Sequence, residues 1–325
     1  MHRHQDRLIA TGASHISRRR FLASAGLVST AAWLSPRHLF GQDGNVVEMI
    51  RADAAKSGIA VQPLRRNISA LIGSGGNVAV LTGPDGKLLV DAGIAVSRPR
   101  ILTALAGISA EPIRHLINTH WHFDHVGGND WLHTAGASIT AHANTRKHLS
   151  VATRVEGWKT TFPAAPRGAL PTTVFTDNCA MHVNGESIAL QRYEPAHTDA
   201  DISVRFEVAD VLHVGDTWWN GLYPFIDYST GGSIDGTIRA AEANIAAAGA
   251  ATIVVPGHGP IGGRAGLIEF RDMLVAVRER VAALKNKGLS LEAAVAAKPT
   301  ASYDARWGEF PMNGSKFTAL VYAGV

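Results

Sequence analysis

Four side chains that bind metal ions well lie within six residues of the sequence. They form the pattern His-x-His-x-Asp-His, at His120, His122, Asp124 and His125. The segment Ile113–Asn118 before them predicts a β-strand, and Gly127 and Gly128 after them favour a tight turn. Imidazole and carboxylate ligands suit Zn²⁺ best, with Fe or Mn as alternatives. The pattern therefore predicts metal-dependent chemistry in a loop at a strand end.

Three further residues with metal-binding side chains follow apolar runs later in the chain. They are His197, Asp216 and His258. A single histidine is more often structural than a ligand, but seven candidates recurring at strand ends favour one shared site. Within the first segment, the alternation of His120 and His122 lets both rings converge on one side of an extended turn. Asp124 and His125 can face a second point nearby.

The composition is that of a globular protein and excludes several classes. Of the 325 residues, 46% are hydrophobic and 18% are charged, so a core can form and disorder is not expected. The single cysteine, Cys179, excludes an intramolecular disulfide and a cysteine-based zinc cluster. The apolar runs are shorter than the roughly 20 residues of a membrane span, so no stable membrane anchor is expected.

The net charge of +4 comes from the N-terminal leader and not from the rest of the chain. Residues 1–42 hold six of the 31 Lys and Arg residues and one of the 27 Asp and Glu residues, which leaves 25 basic and 26 acidic ones. A remainder this close to neutral has no basic stripe for phosphate backbones, so no nucleic-acid partner is expected.

The leader has the form of a twin-arginine export signal. Its motif, Ser17-Arg18-Arg19-Arg20-Phe21-Leu22, begins an Ala-rich apolar stretch that ends at Leu34. This stretch has the length of a signal's hydrophobic region and is short for a membrane span. The alternative is a basic arm followed by a core helix. We expect residues 1–42 to be the leader, and the rest to be exported by the twin-arginine machinery to a periplasmic or secreted location.

Strands and helices must position the candidate ligands. Val78–Leu81 and Leu88–Val90, separated by Gly83-Pro84-Asp85-Gly86, predict a β-hairpin. Ser97 predicts the N-cap of the following helix. Further strands alternate with helices, and no linker divides residues 43–325. The order predicts one α/β domain with two packed mixed sheets between helices.

The histidine and aspartate pattern resembles that of the metallo-β-lactamase-fold hydrolases. The resemblance runs from Asn77 to Gly262 and includes Val90-Asp91-Ala92-Gly93, which is similar to an early aspartate turn of that fold. It implies a four-layer αβ/βα sandwich that holds two zinc ions. It also implies the ligands: His120, His122 and His197 for the first metal, Asp124, His125 and His258 for the second, and Asp216 as the bridge.

The aspartate at position 216 makes the ligand set look more like glyoxalase II and the N-acyl-homoserine lactonases than like the lactamase subclass with a cysteine there. The resemblance also implies that Asp91 supports a turn or a ligand histidine. The alternative for Asp91 is an ordinary aspartate at a strand end.

The resemblance implies a hydrolase that needs no serine or cysteine nucleophile. Two metal ions would share a water, lower its pKa toward ~7 and direct the metal-bound hydroxide at a carbonyl carbon. Asp124 would be catalytic, orienting the water or passing its proton to the leaving group. The expected partner is a small carbonyl substrate, an amide or ester, with β-lactams as the leading candidate.

Other activities of the same fold remain as alternatives. A glyoxalase II-like thioesterase and a lactonase would use the same ligands. A mononuclear iron (sulfur) dioxygenase is the alternative outside the hydrolases, and metal analysis would distinguish it. A noncatalytic metal-binding protein is disfavoured by the complete ligand set.

Aromatic residues after Asp216 are candidates for the wall of a substrate pocket. They are Trp218, Trp219, Tyr223 and Phe225. The alternative is that they pack beneath a loop. The Pro-rich segment Glu156–Pro171 is a candidate lid, and Lys159 or Arg167 within it is a candidate anchor for a substrate carboxylate.

Overall fold

The computed structural model describes residues 45–325, apart from residues 74 and 310, and contains two large β-sheets and a small hairpin. The strands are β1 Ala60–Pro63, β2 Ile68–Ile72, β3 Val78–Leu81, β4 Lys87–Val90, β5 Ile113–Asn118, β6 Ser138–His142, β7 Thr153–Val155, β8 Thr160–Phe162, β9 Thr173–Phe175, β10 Asn178–Val183, β11 Glu186–Arg192, β12 Ile202–Phe206, β13 Val211–His213 and β14 Ile253–Val255. The α-helices are α1 Val46–Ala54, α2 Arg98–Ile108, α3 Phe123–Val126, α4 Asn129–Thr134, α5 Ala143–Ser150, α6 Ile234–Ala247, α7 Arg264–Asn286, α8 Leu291–Ala296, α9 Asp304–Trp307 and α10 Gly314–Gly324. The predicted export leader, residues 1–42, lies outside the described residues.

The first sheet brings the loops after β4 and β5 to one edge. Its seven strands have the order β1-β2-β3-β4-β5-β6-β9. Neighbours from β1 to β4 are antiparallel, and β3 and β4 pair as the predicted hairpin. The pairs β4–β5, β5–β6 and β6–β9 are parallel. Because parallel neighbours end at the same edge, the turn at Asp91 lies beside the loop that begins at Thr119.

The second sheet repeats this arrangement for the later ligands. Its five strands have the order β10-β11-β12-β13-β14, antiparallel except for the parallel pair β13–β14. Asp216 and His258 follow the two parallel strands closely in the sequence. The parallel pairing therefore brings both residues to the same edge of the sheet.

Helices cover the outer faces of the two packed sheets. Between the sheets, Val90 and Ile117 of the first belong to the same buried cluster as Val204 and Phe206 of the second. The outer face of the first sheet packs with α2 and α4, and that of the second packs with α6 and α7. These four layers are the predicted αβ/βα sandwich. Among the described residues, no helix combines the length and apolar character that a membrane span requires.

Two local predictions differ from the structure in part. Helix α2 begins directly after Ser97, but the Ser97 hydroxyl donates to the carbonyl of Ala54 at 3.3 Å and makes no capping bond to the helix. The Pro-rich segment Glu156–Pro171, the candidate lid, contains a strand, because Thr160–Phe162 pairs antiparallel with Thr153–Val155. Contacts with other parts of the fold explain both differences. The acceptor of the Ser97 hydroxyl lies in α1, and β7, the strand that pairs with β8, precedes the candidate lid.

Candidate metal centre

The loop after β5 carries four of the predicted ligands. Two amide side chains, one on each side of the loop, are hydrogen-bonded to each other. Asn118 Nδ2 donates to Asn129 Oδ1 at 3.0 Å, and Asn129 Nδ2 donates to Asn118 Oδ1 at 2.9 Å. His122 has extended backbone angles, φ −66° and ψ 147°, and the chain then enters α3. The bend separates the two histidines before the helix from the aspartate and histidine within it.

The seven predicted ligands form two adjacent groups. The first comprises His120, His122, His197 and Asp216, and the second comprises Asp124, His125 and His258. Within each group, the candidate ligand atoms all lie within 4.8 Å of one another. Asp216 lies between the groups: its Oδ1 is 3.0 Å from His125 Nε2, and its Oδ2 is 3.4 Å from His197 Nε2. The same Oδ2 is 3.4 Å from His258 Nε2.

Asp91 organises the ligand loop from the end of the neighbouring strand. Its Oδ1 accepts the Thr119 backbone N–H at 2.7 Å, and its Oδ2 accepts the Thr119 hydroxyl at 2.7 Å. Oδ2 also accepts from His125 Nδ1 at 2.8 Å. The backbone φ of Asp91 is 65°, in the left-handed region, which aspartate tolerates better than most residues. The structure thus places Asp91 behind a ligand histidine.

In the first group, hydrogen-bond acceptors of the protein also contact the ring nitrogens that face away from the cluster. His120 Nδ1 is 3.0 Å from Thr119 Oγ1, and His197 Nδ1 is 2.8 Å from the carbonyl oxygen of Phe225. An acceptor at one ring nitrogen fixes the N–H there and leaves the other nitrogen unprotonated. The nitrogens that face the cluster are therefore available as ligands.

Two buried atoms of the first group have no hydrogen-bond partner among the described residues. They are His120 Nε2, in a side chain that is 1% exposed, and Asp216 Oδ1, which forms only the 3.0 Å ion pair with His125 Nε2. Leaving a buried polar atom unpaired is costly, and native structures seldom do so. Coordination to a metal would satisfy them, and imidazole and carboxylate donors are the set that zinc takes. The residues present fit a metal centre.

Burial and neighbouring charges set the protonation of the cluster. Burial opposes ionisation of Asp216, but His125 and His258 outweigh it and lower the pKa of Asp216 well below its ordinary value. Burial also opposes protonation of His125, yet Asp216 and Asp91 raise the pKa of this imidazole well above its ordinary value. Burial lowers the pKa of His120. Asp216 is thus a carboxylate, as a bridging ligand must be.

The ligands differ in their access to solvent. The side chains of His258 and Asp124 are 12% and 9% exposed, whereas those of His120 and His122 are each 1% exposed. His258 and Asp124 are therefore the most accessible of these four ligands, whereas His125 of the same group is fully buried.

Two of the four predicted pocket aromatics lie beside ligands. The ring centroid of Trp219 is 4.3 Å from that of His258, and the ring centroid of Phe225 is 6.1 Å from that of His197. Both side chains are buried. They support the ligand rings more than they present a surface to a substrate.

The other two pocket aromatics, Trp218 and Tyr223, belong to the hydrophobic core, which corrects the prediction. Both are fully buried. The Trp218 indole lies against Gly266 of α7, and the Tyr223 ring stacks on Phe317 of α10 with centroids 4.6 Å apart. Packing against the C-terminal helices accounts for both residues.

Two residues near the cluster were missed in the sequence. Asp227 Oδ2 lies 3.1 Å from His122 Nε2, although 105 residues separate the two in the chain. The ring of Trp158 lies 4.7 Å from that of His122. The run from Asp227 to Gly231 is a turn signal, but nothing in it indicates which ligand it meets. Trp158 falls within the predicted lid and carries no motif.

Comparison with known proteins identifies the family. A family model described as the metallo-beta-lactamase superfamily matches residues 71–258, which is more than half of the chain. The comparison with curated proteins finds no match.

Solved structures share the fold at low sequence identity. The stereoselective inverting sec-alkylsulfatase Pisa1 from Pseudomonas sp. has a TM-score of 0.62 at 17% identity, over 81% of this chain and 50% of that one. A metallo-beta-lactamase from Pontibacter korlensis has a TM-score of 0.54 at 17% identity, over 67% of this chain and 99% of that one. The DIM-1 metallo-beta-lactamase has a TM-score of 0.52 at 22% identity, over 67% and 97%. This chain spans half the length of the alkylsulfatase.

The matched region, residues 71–258, contains all seven clustered side chains. The chain therefore belongs to the metallo-beta-lactamase superfamily and has a metal-binding site of histidine and aspartate side chains.

Proposed function

We propose that the protein is an exported dinuclear zinc hydrolase that cleaves an amide or ester bond of a small carbonyl substrate, with β-lactams as the first candidate. The position of Asp216 carries the proposal. Its two oxygens lie 3.0 Å from His125 of one group and 3.4 Å from His197 of the other. A carboxylate between two ligand groups can bind both ions of a metal pair.

The seven clustered side chains would bind the two metal ions. His120, His122 and His197 would hold one metal, Asp124, His125 and His258 the other, and Asp216 both. Zinc ions bound there would supply a water whose pKa lies near ~7 and a Lewis acid for a carbonyl oxygen.

Asp124 is the proposed proton-handling residue. Its Oδ2 lies 3.4 Å from His258 Nε2, and these two side chains are more accessible than those of His120 and His122. A carboxylate there can hold a water by hydrogen bonding and pass a proton to a departing amine or alkoxide. Fe or Mn would fit the same donors, and iron would favour the dioxygenase alternative.

A second candidate is hydrolysis of an alkyl sulfate ester. The observation in its favour is the extent of the similarity, since the sec-alkylsulfatase structure covers 81% of this chain and the β-lactamase structures cover 67%. Thioesters and lactones remain candidates, because a bridging aspartate serves those reactions equally well.

Substrate hydrolysis by metal-quantified protein tests the proposal. A penicillin, a cephalosporin, a carbapenem, a thioester, a lactone and a secondary alkyl sulfate would be assayed with and without chelator. Chelator-sensitive turnover of a β-lactam, with about two zinc ions per chain, would support the leading candidate. Turnover of the alkyl sulfate alone would favour the second candidate. Iron in place of zinc, without hydrolysis of any of them, would overturn the proposed function.

Export is proposed from the leader motif and has its own test. The double substitution Arg18→Lys and Arg19→Lys keeps the charge but removes the arginine pair. We expect the full-length protein to appear in the periplasmic fraction and the variant to remain in the cytoplasm. Equal distribution of the two proteins would contradict the twin-arginine proposal.

A further inference from the structure

We infer that the hairpin Thr153–Phe162, formed by β7 and β8, is a substrate-selecting flap. In this inference Trp158 at its tip binds an alkyl or aryl group that the substrate carries beside its scissile bond. The inference rests on the proposed hydrolase function and specifies the substrate class of the same site. It requires that Trp158 present apolar surface near a ligand and that the hairpin hold it there.

Trp158 is the half-exposed aromatic residue at the cluster. Its ring centroid lies 4.7 Å from that of His122, and it stacks on Phe225 at 4.8 Å with 23° between the planes. Among the described residues, the other aromatic side chains whose rings contact ligand histidines are buried: Trp121 at 2%, Phe225 at 4% and Trp219 at 5% exposed. Trp158 is half-buried and therefore retains accessible apolar surface.

The tip of the hairpin packs closely on the wall of the site. A Cβ at Gly157 would lie 2.6 Å from Cε2 of Phe225, so only glycine permits this approach. Residues 156–158 form a single 3₁₀ turn, and Lys159 follows with a left-handed φ of 51°. This turn keeps the indole against Phe225.

Hydrogen bonds connect the same tip to a metal ligand. The backbone N–H of Glu156 donates to Ser229 Oγ at 3.1 Å. The Ser229 hydroxyl donates to Asp227 Oδ1, and Asp227 Oδ2 accepts from His122 Nε2 at 3.1 Å. The tip is thus held relative to His122 by a polar chain on one side and by the Trp158 ring on the other.

The base of the hairpin is fixed by apolar contacts. Phe162 stacks on Phe123 with centroids 5.4 Å apart and 17° between the planes. Both rings belong to a cluster that includes Val47 of α1. Phe123 begins α3, between the ligands His122 and Asp124. The flap is therefore anchored to the ligand loop at its base as well as at its tip.

A half-buried indole held beside a reacting centre favours apolar substrates. Covering it with an alkyl or aryl group removes apolar surface from water on both partners, whereas a short acetyl group covers little of it. Pockets of small-molecule enzymes combine such apolar walls with a few polar groups. The arrangement therefore selects for hydrophobic bulk near the scissile bond.

Matched esters and matched carboxylates test the inference. The metal-loaded wild type, Trp158→Ala and Trp158→Phe would be assayed with p-nitrophenyl acetate and p-nitrophenyl octanoate, with metal content measured for each. We expect Trp158→Ala to raise KM for the octanoate ester roughly ten-fold more than it raises KM for the acetate ester. Trp158→Phe should restore most of the preference. Tyr303→Ala, a remote half-buried aromatic, is the control.

Calorimetric binding of octanoate and acetate to the same proteins gives a readout that needs no turnover. Tighter binding of octanoate to the wild type, lost in Trp158→Ala, supports the inference. Equal binding of both carboxylates to the wild type, or equal effects of Trp158→Ala on both esters, would overturn it. Absence of chelator-sensitive turnover of either ester counts against the proposed carbonyl hydrolysis, and the binding experiment then decides the inference by itself.

Discussion

His122 and Asp227 are hydrogen-bonded through Nε2 and Oδ2 at 3.1 Å, and both side chains are 1% exposed. Burial opposes ionisation of Asp227, but hydrogen bonds from His122, Ser229 and Thr230 outweigh it and lower its pKa to about 2. The carboxylate therefore accepts the imidazole N–H and leaves Nδ1 as the metal-binding atom. This atom is 2.8 Å from His197 Nε2, its neighbour in the first group.

Asp227→Asn should weaken metal binding without removing a ligand. The amide is a weaker acceptor and can present its NH₂ group to His122, so the imidazole loses its orientation and basicity. We expect about a 10- to 100-fold loss of affinity for one of the two metals, measured by competition with a chelating indicator. Asp235→Asn removes the same charge at an exposed ion pair and is the control. An affinity equal to that of the wild type would show that Asp227 does not position His122.

His122→Ala should remove one metal and nearly all turnover, because it deletes a ligand atom from the first group. Elemental analysis of the purified variant would give the metal content, and the chelator-sensitive assay would give the activity. His182→Ala changes an exposed histidine on β10 and should leave both values unchanged. Two metals per chain with wild-type activity in His122→Ala would refute the ligand assignment.

Gly76→Ala should disturb the second group specifically. A Cβ at this position would overlap the imidazole of His125, which is buried and held by Asp91. The His125 ring would have to leave its present position, so we expect the bound metal to fall from about two ions per chain toward about one. Gly107→Ala, in helix α2 with open space around its Cβ, is the matched control. Full metal content in Gly76→Ala would mean that the backbone shifts to accommodate the methyl group.

Asp91→Ala should destabilise the fold even without metal. It leaves the Thr119 N–H, the Thr119 hydroxyl and His125 Nδ1 without their buried acceptor. We expect a loss on the order of 3 kcal/mol in the free energy of unfolding, measured by urea titration of chelated protein. Asp272→Ala, at an exposed ion pair, should change it by less than about 0.5 kcal/mol. A similarly small change in the free energy of unfolding for both variants would show that Asp91 does not organise the ligand loop.

Partial chelation should empty the two groups in order. His258 and Asp124 are more accessible than the ligands of the first group, so a competing chelator reaches the second group first. Titration of cobalt-substituted protein with dipicolinate should therefore change the visible spectrum in two steps. A single step with both ions leaving together would contradict this order.

The ligand run and the sandwich could be predicted because both depend on local patterns. Val78–Leu81 and Leu88–Val90 of the first sheet are apolar at consecutive positions, and the run from His120 to His125 has a spacing specific to its fold. Asp227 could not be predicted in the same way, because its role depends on where a turn 105 residues beyond His122 meets the ligand loop.

The adjacent residues Trp218 and Trp219 show a second limit of prediction from the sequence. They have the same side chain, but Trp218 packs against a glycine of α7 while Trp219 lies against His258. Successive side chains of an extended segment point in opposite directions, and the sequence alone does not say which direction meets the metal cluster. Trp158 was missed for a related reason, because only pairing of β7 with β8 brings its turn to His122.

The hydrogen-bond acceptors behind the ligand rings affect how the centre binds its metal ions. Since Asp91, Thr119, Asp227 and the Phe225 carbonyl orient the imidazoles, the cavity has its shape before any ion arrives. Such a preorganised cage requires little rearrangement on loading, and donors of this type bind several divalent metals. If the chain folds before export, the ion available where it folds, and not where it acts, determines the metal it carries.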